Sequence, residues 1–279
     1  MQVAAAYDER MGRIAICAFG GWNDAGEAAT AAVQHLRDLW GDELLAEVPA
    51  EDFVDLQVHR PQVIISDAGY REIIWPDTAV RLATPPDGQE LVLVYGPEPS
   101  VHWRSYCARL VSLFHRHDVT TVLVLGALLA DVPHTRPLRV TRRSGSAADH
   151  PVDPKQDHYE GPIGIPAVLV EAATDADLDT VSLWVQVPHY VAQNPSPKAQ
   201  LALLRAIEKE IRRTIPLAEV EEDAAAWERG VDELARTDPD VADYVARLER
   251  SQDAADLPEA SGDAIAREFE QFLRRRRDE

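Results

Sequence analysis

This sequence predicts an α/β fold with a mostly parallel sheet covered by helices on both faces. Four short apolar runs, at residues 13–19, 91–95, 121–125 and 180–187, have the branched, uninterrupted composition of strands hidden on both sides. Between them lie stretches whose apolar residues recur at helical spacing. Each run also breaks off in glycine or proline, as strand-to-helix turns do.

Taken in order, the run at 13–19 leaves through Gly20-Gly21 into a helix. Asp24 is its expected cap, Glu27 completes a capping box, and Ala29, Val33, Leu36 and Trp40 form its buried face up to Gly41. Residues 44–48, 71–75 and 80–84 read as extra strands or a hairpin. The run at 91–95 closes on Gly96-Pro97, and a helix follows Ser100 through His117. The run at 121–125 ends at Gly126, and residues 139–141 suit a short strand. The next stretch, SGSAADHPVDPKQDHYEGP, lacks periodicity and reads as a functional flap or a mobile segment. A short helix over 165–174 leads into the run at 180–187. After another proline-punctuated turn, Ser196 caps a helix with Pro197 in its first position and Leu204, Ile207 and Ile211 inside.

Pro216 divides the chain into a sheet domain, residues 1–216, and an acidic helical extension, residues 217–279. The extension holds nineteen acidic and nine basic residues, half of the chain's net charge of −20. Three amphipathic helices fit it, with stripes at Ala224, Trp227, Val231 and Leu234; at Val241, Tyr244, Val245 and Leu248; and at Ile265, Phe269, Phe272 and Leu273. The run Arg274 to Arg277 suits a solvated helix end.

So acidic a chain excludes duplex nucleic acid and anionic membrane as main partners. Cys17 and Cys107 are the only cysteines, too few for a disulfide framework or a zinc site. With no basic leader and no run of about eighteen apolar residues, a cytoplasmic protein is expected. Nothing in the sequence calls for a metal or a cofactor.

Three clusters carry candidate chemistry. In the first, Trp22, Asn23 and Asp24 follow the glycine pair, where backbone N–H groups can hold an anion. The spaced glycines and lysine of a phosphate loop are missing, and Asp24 puts negative charge where the anion would sit, so the plain alternative is a tight turn and a cap. In the second, Val-Pro-His occurs twice after a buried run, at His134 and at His189-Tyr190. With Asp131 and Arg136 beside them, a His–Asp pair can act as a base while Arg136 holds an anionic group, or two histidines and a carboxylate can bind a metal. The alternative is that these groups bond loop to loop and shape a subunit interface. In the third, Tyr159 and Glu160 end the flap. Glu160 either completes an acid–base set or pairs with Arg136 or Lys198 as a hinge carboxylate.

The same residues carry a resemblance. GWNDAGEAA at Gly21, DVPHTRP at Asp131, YEGPIGIP at Tyr159 and SLWVQVPHYVAQNPSPKA at Ser182, in that order, resemble the proteasome assembly chaperone family in its actinobacterial branch. The resemblance implies a three-layer α/β/α domain of the phosphorylase/hydrolase-like type with a helical C-terminal extension, found as a homo-oligomer and, by analogy, a trimer. It also implies proteasome α subunits as partners, which some relatives bind through a tail with an aromatic penultimate residue; this sequence closes on Arg277-Asp278-Glu279. Two functions are therefore expected as alternatives. One is a non-catalytic assembly or interaction protein. The other is a small-molecule enzyme or binding protein in which Asp131, His134, Arg136, Glu160 and His189 converge on one pocket. An oligomeric scaffold without ligand is the third.

Overall fold

The computed structural model describes residues 12–41, 43–86, 88–145, 160–191 and 195–255. Its strands are β1 (Arg13–Gly20), β2 (Glu43–Val48), β3 (Gln62–Ile65), β4 (Arg71–Ile74), β5 (Thr78–Ala83), β6 (Leu91–Pro97), β7 (Val119–Ala130), β8 (Val140–Gly145) and β9 (Asp179–Pro188). Its helices are α1 (Ala28–Trp40), α2 (Trp103–Arg116), α3 (Ile165–Thr174), α4 (Pro197–Ile211), α5 (Ala218–Thr237) and α6 (Pro239–Ala255).

Seven strands form one sheet in the order β2-β5-β6-β1-β7-β9-β8. The four expected apolar runs are its parallel centre, β6-β1-β7-β9, and antiparallel strands complete both sides. Because successive side chains alternate between faces, β1 sends Ile16 and Ala18 to one side and Ala15, Cys17 and Phe19 to the other. The first set packs with α1, α4 and the start of α5. The second packs with α2 and α3. The result is a three-layer α/β/α arrangement with β1 buried at its centre.

The C-terminal helices are not packed alike. Val220 and Ala224 of α5 join the same buried cluster as Ile211 and Ile215, so α5 continues the layer formed by α1 and α4. Helix α6 contributes Val245 and Leu248 as its buried apolar residues and otherwise meets the domain through polar groups. Among the described residues, no helix is long and apolar enough to cross a membrane. The expected third helix and the arginine run lie outside the described residues.

Local expectations needed correction in four places. Strand β7 does not end at Gly126 but runs on to Ala130, in register with β9 as far as Ala130 opposite Pro188. Gly126 is there for closeness: a Cβ would stand 2.5 Å from the Trp184 ring lying over it. Glu27 completes no capping box; it sits in the left-handed region, as the last residue of a short 3-10 turn, and makes no side-chain cap. Ser196 holds the cap position of α4 through its backbone, whose carbonyl accepts the N–H groups of Ala199 and Gln200, while its buried Oγ has no partner among the described residues. Finally, β3 was not anticipated. It pairs with β4 in a two-stranded hairpin separate from the main sheet.

Candidate functional site

In an open parallel sheet, ligands lie beyond the carboxyl ends of the strands where the strand order reverses. Here the chain itself folds back over that point, between β1 and β7. Asn23 and Asp24 fold back over it: the Asn23 carbonyl accepts the Ala127 N–H at 2.8 Å, and Asp24 forms a parallel bridge to Ala127. The Asn23 side chain, also buried, donates through Nδ2 to Glu98 Oε1 at 2.6 Å, and the same oxygen accepts the Ile165 N–H at 2.9 Å. Gly164 allows this closure, since a Cβ there would overlap the Asn23 amide at 2.2 Å. Asn23 thus ties β1, β6, β7 and the start of α3 together.

Asp24 is the cap that its sequence position suggested, although it works further along than a capping box would. Its Oδ1 accepts the Ala29 N–H at 2.7 Å, and Thr30 Oγ1 donates to its other oxygen. Burial pushes this carboxyl above the usual aspartate range, and the bonds from Thr30 and Ala29 pull it back part of the way. Trp22, between the glycines and these two buried residues, is left 69% exposed. It borders an open cleft of about 920 Å³ that also touches Gly20, Gly96 and Leu129.

The second cluster comes together as the repeated Val-Pro-His suggested. His134 is 1% exposed, and its two ring nitrogens are both engaged. Tyr190 Oη accepts the His134 backbone N–H at 2.8 Å and lies 2.7 Å from Nδ1. Having accepted one hydrogen, the tyrosyl oxygen is placed to give its own to Nδ1, which leaves the ring proton on Nε2 for Asp232 Oδ1 at 3.1 Å. The second histidine is part of the same group. His189 Nδ1 is 3.1 Å from Asp131 Oδ1, which also accepts the Tyr244 hydroxyl at 3.1 Å. Rings of His134, Tyr190, His189 and Tyr244 follow one another edge to face, with centroids 5.5–5.9 Å apart.

What faces this group is the chain's own C-terminal region. Asp232 and Trp227 belong to α5, and the Trp227 ring stands 6.5 Å from that of His134. Lys198, on α4, donates to the His134 carbonyl and to Glu228 Oε2 of α5, the latter at 2.7 Å. Arg136 grips α6 with two parallel bonds to Asp253, at 2.9 and 2.8 Å, and a third to Glu249 at 3.3 Å. The guanidinium holds the Asp253 carboxyl below its usual range. Partial burial pushes the Tyr190 hydroxyl up to about 12. His134 therefore lies at a polar and aromatic seam beneath α5, with no open face toward solvent.

Glu160 is exposed, at the start of the segment that carries Gly164 to Asn23, and among the described residues it makes no hydrogen bond or ion pair with His134, Arg136 or Lys198. Tyr159 lies outside the described residues. Among the described residues no group of three His, Cys, Asp or Glu side chains is disposed to hold a metal ion. Sequence reading missed Glu98, although a carboxylate between two prolines just past a strand end was a signal for it. It also placed Asp232, Glu228, Glu249 and Asp253 only on charged helix surfaces, where nothing local distinguishes them from their acidic neighbours.

The model of the PAC2 family matches residues 18–235. The structure of a PAC2 family protein from Streptomyces avermitilis is similar at 47% identity and a TM-score of 0.75, over 84% of this chain and 99% of that one. A proteasome-assembly chaperone homologue from Mycobacterium tuberculosis is similar at 40% identity and a TM-score of 0.73, over 83% of this chain and 99% of that one. PbaB of Pyrococcus furiosus, an archaeal proteasome activator, shares the fold at 16% identity and a TM-score of 0.61, over 80% of this chain and 93% of its own. No curated protein matches.

Proposed function

The chain belongs to the PAC2 family, the proteasome assembly chaperone family that its motifs resemble, and from that premise we propose that it is a non-catalytic, homo-oligomeric assembly protein that engages proteasome α subunits. The observation that carries the reading is the use made of the loop residues that follow β7 and β9. His134, Arg136 and Asp131 are residues an acid–base site would use, and they are bonded to α5 and α6 instead, while the Tyr190 hydroxyl is taken up by His134. A general base must be within reach of a substrate proton, and His134 is sealed with both nitrogens engaged. Committed in this way, His134 and Arg136 hold α5 and α6 against the sheet domain.

The relatives support the partner. One similar protein, at 40% identity, is a proteasome-assembly chaperone homologue. The test is direct: the purified full chain is mixed with purified proteasome α subunits and run on a sizing column with light scattering. Co-elution at a defined mass ratio is expected. Separate elution of the two proteins at every ratio would remove the proposal.

A further inference from the structure

Trp22 is an aromatic side chain that the packing of the domain does not use. It stands on the rim of the open cleft together with Leu129, which is 53% exposed. The cleft lies beyond the carboxyl ends of β1 and β6, at Gly20 and Gly96. From β1 the chain enters the α1 layer, and from β6 it enters the α2 layer on the other face. The backbone therefore diverges here as well, and on this side of β1 the crevice in which open α/β sheets seat ligands stays open.

The lining has a chemical bias. Glu27 presents an exposed carboxylate that, among the described residues, makes no hydrogen bond or ion pair. Asp24 lies in the same lining, and the charge of Glu27 adds to burial in holding its carboxyl above the usual range. The Tyr95 wall already carries one guanidinium: Arg37 sits over that ring at 5.9 Å, with its charge matched by Asp38. An aromatic rim beside carboxylates without a cation suits arginine, which stacks on an indole and forks to a carboxylate.

One stretch of this chain has the matching chemistry. Residues 265–277, IAREFEQFLRRRR, carry five arginines against two glutamates in a chain of net charge −20, and they hold its only four consecutive basic residues. Phe269, Phe272 and Leu273 give the same stretch apolar side chains for Trp22 and Leu129. The distance is within reach. Asp253, in the last turn of α6, is bonded to Arg136, which follows Leu129 by seven residues, at most about 24 Å of chain. The nine residues 256–264 span up to about 30 Å.

We propose that the Trp22–Glu27 cleft is the seat of residues 265–277 of the same chain, with the arginine run against Glu27 and the phenylalanines on Trp22 and Leu129. Seated there, the segment covers the one rim of the sheet that the α5–α6 seam leaves open, and it neutralises the acidic lining.

Paired cysteines in the full chain test this. Gln62→Cys on the cleft rim is combined with Asp278→Cys, just past the arginines. The control joins Asp278→Cys to Arg116→Cys at the end of α2, beside the start of β7 at the opposite edge of the sheet. Under mild oxidation a disulfide within one chain is expected for the cleft pair, at least about tenfold faster than for the control. Cys17 and Cys107 are buried and stay silent. Adding Trp22→Ala/Glu27→Gln should remove most of that advantage, and so should about 1 M salt, which screens charges beyond roughly 3 Å. Trp22 and Glu27 are exposed, so the circular dichroism spectrum and unfolding midpoint should not change; if that variant misfolds, the salt series on the starting pair decides. Equal rates for the two pairs would show a solvated end and overturn the seat. A cross-linked product of twice the mass would put the segment on a second copy and overturn it as well. Co-elution with α subunits is measured separately, so the failure of either proposal is distinguishable from that of the other.

Discussion

His134 Nε2 stands 3.1 Å from Asp232 Oδ1, joining the loop after the central strand β7 to the middle of α5 across 98 residues of sequence. With Tyr190 on its other nitrogen, this imidazole is a rivet between the sheet and the C-terminal helices. Its neighbours act in the same sense. Lys198 ties the His134 carbonyl to Glu228, and the Trp227 ring closes the side.

Replacing this residue should loosen α5 before it harms the sheet. His134→Ala leaves Tyr190 and Asp232 without their partner and opens a buried space, a loss of roughly 2–4 kcal/mol in unfolding free energy. Amide hydrogen exchange should rise along α5 while β1 and β7 keep their protection. Asp232→Asn retains an acceptor and should fall near the unaltered protein. Unchanged α5 exchange in His134→Ala would show that the helix docks without the rivet.

Arg136 and Asp253 make the attachment of α6 sensitive to acid. The Asp253 carboxyl is held below its unfolded-state value by the guanidinium. Its contribution is present at pH values above the ordinary aspartate pKa and is lost as pH falls through the depressed one. A dye on Ala254→Cys should therefore gain mobility only on the acid side of that window, as read by fluorescence anisotropy. In Arg136→Gln, mobility should be raised already at neutral pH and flat through the window. Both residues are at the surface, so the global unfolding midpoint should hardly move. An acid profile identical in the two proteins would mean that another contact holds α6.

The contact of Gly126 with Trp184 should be intolerant of one methyl group. Gly126→Ala pushes a Cβ into the indole in the middle of the sheet, and about 1–3 kcal/mol of stability should be lost in urea. Trp184→Ala makes room, so Gly126→Ala should cost much less in that background. Equal costs in both would place the constraint elsewhere.

Much of this architecture could be read from the chain before any coordinates. A strand buried on both faces needs an unbroken apolar run, which marked all four parallel strands, and a helix against a sheet needs its stripe, which marked α1 and α4. The hairpin strand β3 escaped because nothing buries it: Val63, Ile64 and Ile65 face solvent on both sides and leave no period to find. The end of β7 was misplaced for the opposite reason. Gly126 looks like a terminator, but its missing side chain is filled by Trp184 of the neighbouring strand, which only the register of β7 against β9 reveals.

The seam shows the same division. The two Val-Pro-His turns were legible as one place, because parallel neighbouring strands deliver their following loops to the same edge. Which carboxylate meets His134 was not legible. The extension offers acidic residues at nearly every turn, and the angle at which α5 lies on the domain brings Asp232 to the ring. Sequence by itself determined the layers, the four parallel strands and the family, since these follow from burial patterns and local motifs. Tertiary structure decided that the motif side chains bind the chain's own helices, because hydrogen bonds between distant segments depend on packing geometry that no local pattern encodes.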